Sequence, residues 1–188
     1  MLAAAGVPFQ VPEGAAGDSA LPSESVVRSS HLEATGSDAV SRLVQSLEQV
    51  YGPLAGQGLA RRIGRACFQY GLRDYGGRLG FTSNSFRLLP LPSKLKKFAG
   101  ALADFLNGPM HQDIRIEESD GTLLWFMGRC PLCHERRATE PVCQLAVGLA
   151  EESLYWLSGG KIFSVEEFAC AARGDGACAL RVNETPLS

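Results

Sequence analysis

Five of the six cysteines lie in the last third of the chain, and this clustering limits the folds that the sequence can adopt. Cys143 follows Pro141, which is suited to the first turn of a helix. Cys170 and Cys178 stand on either side of a Gly-Asp-Gly turn, and the residues around it predict a β-hairpin that brings the two thiols close together. Thiols from these three places can converge on one metal ion.

An acidic residue before Cys170 is expected to supply a fourth ligand. Glu167 is the first choice, although a flat strand would point it away from Cys170 and a bulge is needed to bring both to one metal. Glu166 shares the face of Cys170 in a flat strand and is the second choice. Arg173, Arg181 or backbone N–H groups would balance the excess negative charge. Four ligands with no open position predict a structural zinc site, formed by Cys143, Glu167, Cys170 and Cys178.

Another pair, Cys130 and Cys133, has a spacing that is found in metal sites and in redox sites. Its Cys-Pro-x-Cys form is similar to a glutaredoxin-type active site, which needs the first thiol at the N-terminus of a helix. Residues 134–141 lack the apolar face of a helix, so thiol oxidoreductase chemistry is not favoured. The pair remains an alternative source of metal ligands.

Composition indicates one domain with a tail. The 188 residues are 45% hydrophobic, and we assign residues 1–36 to a disordered tail and residues 37–188 to one domain whose metal-binding motif spans residues 130–182. A net charge of −2 gives no argument for nucleic acid or for an anionic membrane, and no segment approaches the roughly 18 apolar residues of a membrane span. The N-terminus lacks a signal-peptide pattern, which favours a cytoplasmic location with reduced thiols.

Apolar periodicity predicts an α+β fold, with N-terminal helices packed on a small antiparallel sheet. The predicted helices begin near Ser37, Gly56, Ser93 and Pro141, and the predicted strands cover residues 113–117, 122–127, 161–170 and 177–182. The inward face of the first helix is predicted to contain Val40, Leu43, Val44, Leu47, Val50 and Tyr51. The inward face of the second is predicted to contain Leu59, Ile63, Ala66, Cys67, Tyr70 and Leu72.

Several apolar stretches are candidates for the wall of a cavity. Residues 78–92 form either a packed connection or a lid, and the helix after Pro141 is apolar on much of its surface. Within that helix, Gly148 allows another backbone or a ligand to come close. Each candidate wall residue also suits a solid core, and the candidates are Phe81, Phe86, Phe98, Leu102, Trp125, Val147 and Trp156.

The run Glu167-x-x-Cys170-x-x-x-Gly174-Asp175-x-x-Cys178, preceded by Cys143-x-x-x-x-Gly148, resembles the vinyl-4-reductase domain, also called the hydrocarbon-binding domain. That family includes the sensor modules of phenol- and xylene-responsive activators. Its fold is related to the heme nitric-oxide-binding domain and to subunits of the transport-particle tether. The resemblance implies the same fold here, and it implies zinc ligation by the same four residues that the spacing suggests. Cys130 and Cys133 are not part of that zinc pattern.

We therefore expect a zinc-stabilised, non-catalytic domain that binds a small hydrophobic or aromatic ligand and forms a homodimer. Three alternatives remain open. One is an enzyme or accessory in tetrapyrrole vinyl reduction, which only the family name implies. The second is a protein-interaction adaptor with a filled core, and the third is a thiol oxidoreductase built on Cys130 and Cys133.

Overall fold

A computed structural model describes residues 31–108, 110–119 and 121–187, and in these residues helices pack on a four-stranded antiparallel sheet. This arrangement confirms the predicted α+β class. The helices are α1 (His31–Tyr51), α2 (Pro53–Tyr75), α3 (Asn84–Arg87), α4 (Leu91–Asn107) and α5 (Gln144–Ser158). The strands are β1 (Ile114–Ser119), β2 (Thr122–Met127), β3 (Val165–Ala169) and β4 (Cys178–Asn183), and a short 3₁₀ turn covers Ala171–Arg173.

The sheet has the strand order β1-β2-β4-β3, and every neighbouring pair is antiparallel. Its interior strand β2 is apolar from Leu123 to Met127, with Leu123 and Met127 buried and the residues between them half-buried. The register places Cys178, the first residue of β4, opposite Met127, the last residue of β2. The chain that leaves β2 toward Cys130 therefore starts beside Cys178.

Two glycines allow α2 and α5 to cross at very short distance. A Cβ atom on Gly64 would lie 2.0 Å from the carbonyl oxygen of Leu145, and one on Gly148 would lie 1.9 Å from that of Arg61. Each glycine therefore accepts the backbone of the opposite helix, which no residue with a side chain could do at this spacing. For Gly148, the partner that comes close is a backbone segment.

The two N-terminal helices bury only part of the faces predicted for them, and α2 also buries small residues that the prediction left out. In α2 the buried positions are Gly56, Ala60, Gly64 and Phe68, while Cys67 and Tyr70 are exposed. In α1, Val44 is buried, whereas Leu43, Val50 and Tyr51 are exposed. A face of small residues lets neighbouring helices approach closely and gain contacts along their backbones. In α2 the energy of these backbone contacts outweighs that of burying larger side chains such as Tyr70, which the prediction placed inward.

A cluster of aromatic rings fills the space between the helices. Phe81 lies 4.8 Å from Phe98 and 5.3 Å from Phe86, measured between ring centroids. Phe86 stacks on Trp156 at 6.1 Å, and Phe68 contacts both Phe98 and Trp156. These rings hold the segment between α2 and α4 against α5, and they lie next to the cavity described below.

Element boundaries differ from the predictions mostly by a few residues. α1 begins at His31 rather than Ser37, in line with the helix-forming sequence Leu-Glu-Ala that precedes the predicted start. α5 begins after Cys143 rather than at Pro141, and β3 is shorter than predicted because residues 161–164 are irregular. The predicted tail lies largely outside the described residues, as does Asp120 of the predicted hairpin turn. None of the described helices is long and apolar enough to cross a membrane.

Candidate metal centre

Five buried cysteines meet at one end of the sheet. Cys130 and Cys133 lie in the turns that follow β2, Cys143 is the residue before α5, Cys170 follows β3, and Cys178 begins β4. The side chains of Cys143, Cys170 and Cys178 are fully buried, and those of Cys130 and Cys133 are 8% and 4% exposed. Residues from four separate segments thus contribute thiols to one apolar site.

The sulfur atoms have the spacing of metal ligands. Sγ of Cys143 lies 3.5 Å from that of Cys130, 3.9 Å from that of Cys170 and 3.7 Å from that of Cys178. Sγ of Cys178 lies 3.2 Å from that of Cys133 and 4.0 Å from that of Cys170. Four thiolates around a tetrahedral zinc ion, each about 2.3 Å from it, are separated by about 3.8 Å.

The donor atoms form two overlapping groups. One group contains Cys143, Glu167, Cys170 and Cys178, the four residues that the spacing and the family resemblance single out. The other contains Cys130 and Cys133 together with the same Cys143 and Cys178. Within each group all donor atoms lie within 4.8 Å of one another. The structure therefore brings both the predicted set and the alternative pair to one place.

A bulge in β3 brings Cys170 to the same face of the strand as Glu167. The pairing of β3 with β4 shifts register between Glu167 and Ala169, and the residue between them accounts for the shift. Glu167 shares the buried face of Val165, and its Oε2 accepts a hydrogen bond of 2.7 Å from the backbone N–H of Cys143. Its other oxygen, Oε1, is buried without a hydrogen-bond partner among the described residues. A metal ion beside the thiols fits this unpaired oxygen.

Glu166, the second choice of acidic ligand, lies outside both groups. Its side chain is 63% exposed and forms an ion pair with Arg181 at 3.3 Å. The guanidinium of Arg181 also lies over the ring of Phe168 on the outer surface. The bulge explains why the neighbouring acid, rather than Glu166, faces the cysteines.

The electrostatics of the site favour a bound cation. Burial first, and the neighbouring Cys170 second, raise the pKa of Glu167 to about 8. Contact with Cys133 acts to raise the pKa of Cys170, but hydrogen bonds with Cys143 and Cys178 outweigh it and lower this pKa to about 6. Contacts with Cys130 and Cys133, together with burial, raise the pKa values of Cys143 and Cys178. Adjacent buried anions repel one another, and a divalent cation removes this penalty.

Backbone amides and one aspartate support the ligands. The N–H of Ala171 donates to Sγ of Cys178 at 3.3 Å, and the N–H of Cys170 donates to Asp175 at 2.7 Å. Arg173 donates to the same carboxylate and to the carbonyl oxygen of Phe168. Arg173 thus orders the turn around the cysteines without touching a thiol, and Arg181 points away from the site.

The loop that carries Cys130 and Cys133 is tied to α1. Ser41 donates a hydrogen bond of 2.9 Å to the carbonyl oxygen of His134. Glu48 forms a buried ion pair with Arg136, whose side chain is only 7% exposed. Sequence reasoning missed both contacts, because they join residues about 90 positions apart. Residues 134–143 form no helix, so Cys130 lacks the helix N-terminus that glutaredoxin-type chemistry requires.

A separate apolar cavity of about 90 Å³ lies between α2, α4 and the segment that joins them. Three of the predicted wall residues, Phe81, Phe98 and Leu102, line it, and Leu149 of α5 contributes to its wall. Phe86 and Val147 are buried in the core, Trp125 is half-buried against it, and Trp156 lines a more open cleft on the other side of Phe68. Cys67, which sequence reasoning assigned to the core, is exposed and also lines the cavity.

Sequence comparison gives no match to a family model or to a curated protein. Solved structures show the fold. Subunit 3 of the trafficking protein particle complex from Naegleria fowleri, in a crystal structure covalently bound to palmitic acid, matches with a TM-score of 0.61 and 14% identity, covering 80% of this chain and 96% of that one. The phenol-responsive sensory domain of the transcription activator PoxR, in complex with phenol, matches with a TM-score of 0.56 and 19% identity, covering 78% of this chain and 73% of that one. The chain therefore shares the fold of both proteins.

Proposed function

We propose that this chain is a non-catalytic binding module for a small hydrophobic molecule, stabilised at one end by zinc held in its cysteine cluster. The observation that carries the proposal is the apolar cavity bounded by Phe68, Phe81, Phe98 and Leu102. A concave site lined by aromatic and aliphatic side chains is the usual form of a small-molecule site. The sensory domain with phenol, which has the same fold, adds support for an aromatic ligand.

The size of the cavity indicates how a ligand would enter. A cavity of about 150 Å³ holds benzene in another protein, so a ring needs more than the 90 Å³ present here. Tyr75 and Phe105 line the cavity and pair at 5.2 Å between ring centroids, with Tyr75 41% exposed. A shift of this pair opens the cavity toward solvent and supplies the missing volume.

A matched pair of glycine substitutions tests ligand binding. Gly71 lines the cavity and Gly58 lies on an exposed part of the same helix, and a Cβ on either would meet nothing within 4 Å. Gly71→Leu should fill the cavity and abolish binding of phenol, while Gly58→Leu should leave binding unchanged. Isothermal titration calorimetry with phenol and with hexane-1,2-diol as a non-aromatic control measures both. Binding that is absent in the wild type, or equal in the two variants, would refute the cavity as the site.

The role of the metal in this proposal is structural. Four protein donors leave no open position for a substrate, and the ligands join β3, β4 and the start of α5. Zinc would supply charge neutralisation and a crosslink between these segments. Binding rather than catalysis is the proposed output, and the alternative of tetrapyrrole vinyl reduction would require co-purifying pigment, which absorption spectra of the purified protein would detect.

Cys67 favours a second candidate function, the covalent attachment of a fatty acyl chain. Cys67 is exposed and also lines the apolar cavity, so the first carbons of an acyl chain attached there would contact apolar side chains, and the rest of the chain would require the cavity to open. The structural neighbour with covalently bound palmitic acid supports the same reading. In this reaction the Cys67 sulfur attacks the carbonyl carbon of an acyl-coenzyme A thioester. The new thioester forms at Cys67, the bond to coenzyme A breaks, and the thiol proton leaves with coenzyme A.

Intact-protein mass spectrometry after incubation with palmitoyl-coenzyme A measures this attachment. The wild type should gain the mass of one acyl group, which hydroxylamine removes, and Cys67→Ser should gain none. The buried cysteines of the cluster provide the internal control, because they should remain unmodified. An adduct that persists in Cys67→Ser would refute the assignment.

Self-association remains part of the proposal. Leu43, Val50 and Tyr51 of α1 and Leu54 of α2 expose apolar side chains, and Leu54 is 87% exposed. Such exposure supports the predicted homodimer. Light scattering coupled to size exclusion measures the mass, and Leu54→Glu should shift a dimer to the monomer. A wild-type protein of monomer mass at all concentrations would refute the prediction.

A further inference from the structure

We propose that the cysteine cluster binds two metal ions that share Cys143 and Cys178 as bridging ligands. The inference rests on the proposed function only in treating the cluster as a metal centre. One ion would be held by Cys130, Cys133 and the two bridging thiolates. The other would be held by Glu167, Cys170 and the same two thiolates.

The geometry has the form of two tetrahedra with a common edge. The edge joins Sγ of Cys143 to Sγ of Cys178, a distance of 3.7 Å. On one side of it lie Cys130 and Cys133, which contact Cys143 and Cys178 at 3.5 Å and 3.2 Å respectively. On the other side lies Cys170, at 3.9 Å and 4.0 Å from the two shared sulfurs. These distances bracket the separation of about 3.8 Å expected for thiolates on a tetrahedral zinc ion.

Two ions would coordinate ligand atoms that a single ion leaves without a metal. An ion in the group with Glu167 leaves Cys130 and Cys133 as buried thiols pressed against bound thiolates. An ion in the group with Cys130 leaves Cys170 unused and the buried Oε1 of Glu167 without a partner among the described residues. A thiolate sulfur has enough lone pairs to bind two ions, so six side chains can complete two four-coordinate sites.

The negative charge of the cluster also favours two metal ions. Five thiolates and one carboxylate in a buried site carry six negative charges, and two divalent ions neutralise four of them. The backbone N–H groups of Cys143 and Ala171 donate to Glu167 and Cys178 and stabilise part of the remaining negative charge. The site is also apolar and sealed, since Cys143, Cys170 and Cys178 are fully buried. Such a site favours soft divalent ions with a high affinity for sulfur, such as zinc.

Metal counting on the full chain tests the proposal. Protein purified under reducing conditions and loaded with zinc is analysed by native mass spectrometry and by elemental analysis. The wild type should hold two zinc ions per chain. The variants C130A/C133A and E167Q/C170A should each hold one zinc ion, because each removes the two ligands that bind only one of the two ions. The matched control is Cys67→Ala, which removes the sixth cysteine outside the cluster and should retain two ions.

A second measurement on the wild type does not depend on whether the variants fold. After replacement of zinc by cadmium-113, nuclear magnetic resonance should show two cadmium signals, one from an all-sulfur site and one from a site with an oxygen ligand. One ion per chain, one cadmium signal, or two ions retained by C130A/C133A would overturn the proposal. A count of one in the wild type would leave the single structural site of the proposed function standing, and a count of zero would remove both. Binding of phenol at the cavity is measured independently of either result.

Discussion

The substitution Gly148→Ala tests whether the crossing of α2 and α5 depends on glycine. A Cβ atom at this position would lie 1.9 Å from the carbonyl oxygen of Arg61 and 2.7 Å from its carbonyl carbon. A carbon atom normally approaches a carbonyl oxygen to no less than about 3.3 Å, so the helices would have to separate by about 1.4 Å. Both contacted atoms belong to the backbone, and no side-chain rotation can relieve the overlap.

The expected loss of stability follows from two opposing terms. Overpacking of a tight interface costs typically 1–3 kcal/mol, and we expect about 3 kcal/mol because the obstacle is backbone. The higher helix propensity of alanine returns about 1 kcal/mol. The free energy of unfolding should therefore fall by about 2 kcal/mol, equivalent to a decrease in Tm of roughly 4–8 °C for a protein of this size.

Gly71→Ala is the matched control, since it lies in α2 and its added Cβ would meet nothing within 4 Å. It should increase stability by up to about 1 kcal/mol, because it restricts the unfolded chain without a clash. Urea titrations of the wild type and both variants, with metal bound and thiols reduced, give the two free energies. If Gly148→Ala were as stable as Gly71→Ala, the close crossing of the helices would be refuted.

Three further predictions concern the ion pairs and the metal. Arg136→Met should lower the free energy of unfolding by about 3 kcal/mol, because it leaves the Glu48 carboxylate buried without its partner. The double variant with Glu48→Leu should recover most of this loss in the same urea titration. The full loss of stability in both variants would contradict the pairing. Burial acts to raise the pKa of Glu151, but hydrogen bonds from two arginines of α2 outweigh it, so this pKa lies below its ordinary value of 4.5. The stabilisation of about 1 kcal/mol or less from these partly exposed pairs is therefore present above pH 4.5 and lost as pH falls through the lowered pKa; melting curves of the wild type and Glu151→Gln should converge in acid, and a constant difference down to pH 2 would refute the assignment. Removal of metal with a chelator, or the substitution Cys170→Ser, should lower the Tm measured by circular dichroism, because the free energy of metal binding adds to that of folding. The released zinc is measured in a colorimetric assay. An unchanged Tm after complete removal of zinc would exclude a structural role for the metal.

Local spacing was enough to predict the approach of Cys170 to Cys178 and the bulge beside Glu167. The hairpin around the Gly-Asp-Gly turn brings Cys170 and Cys178 together over a separation of 8 residues. The need for a bulge beside Glu167 follows from the alternation of side chains along a strand, and the structure contains this bulge. These features depend on turn residues and on strand periodicity, both of which are determined by residues close together in the sequence.

The rest of the site depends on contacts between distant segments. Cys130 and Cys133 reach the cluster because the register of β2 and β4 puts Met127 opposite Cys178, and no local pattern specifies that register. The contact between α1 and the loop at Arg136 joins residues 88 positions apart. The buried face of α2 was also wrong in the prediction, because the apolar periodicity gave weight to Tyr70 and Cys67 and none to the small residues that fit the neighbouring backbone.

The attachment of the cysteine loop to α1 has a consequence for the order in which the molecule is built. On the ribosome α1 is synthesised well before His134 and Arg136, the residues that Ser41 and Glu48 contact. Cys178 appears later still, and both candidate groups of metal ligands include it. Contacts over such separations form slowly, since long loops must close first. Binding of the proposed metal should therefore be among the last events of folding. Before that event the nascent chain exposes several reduced thiols and an apolar helix. In this state it is most susceptible to oxidation and aggregation.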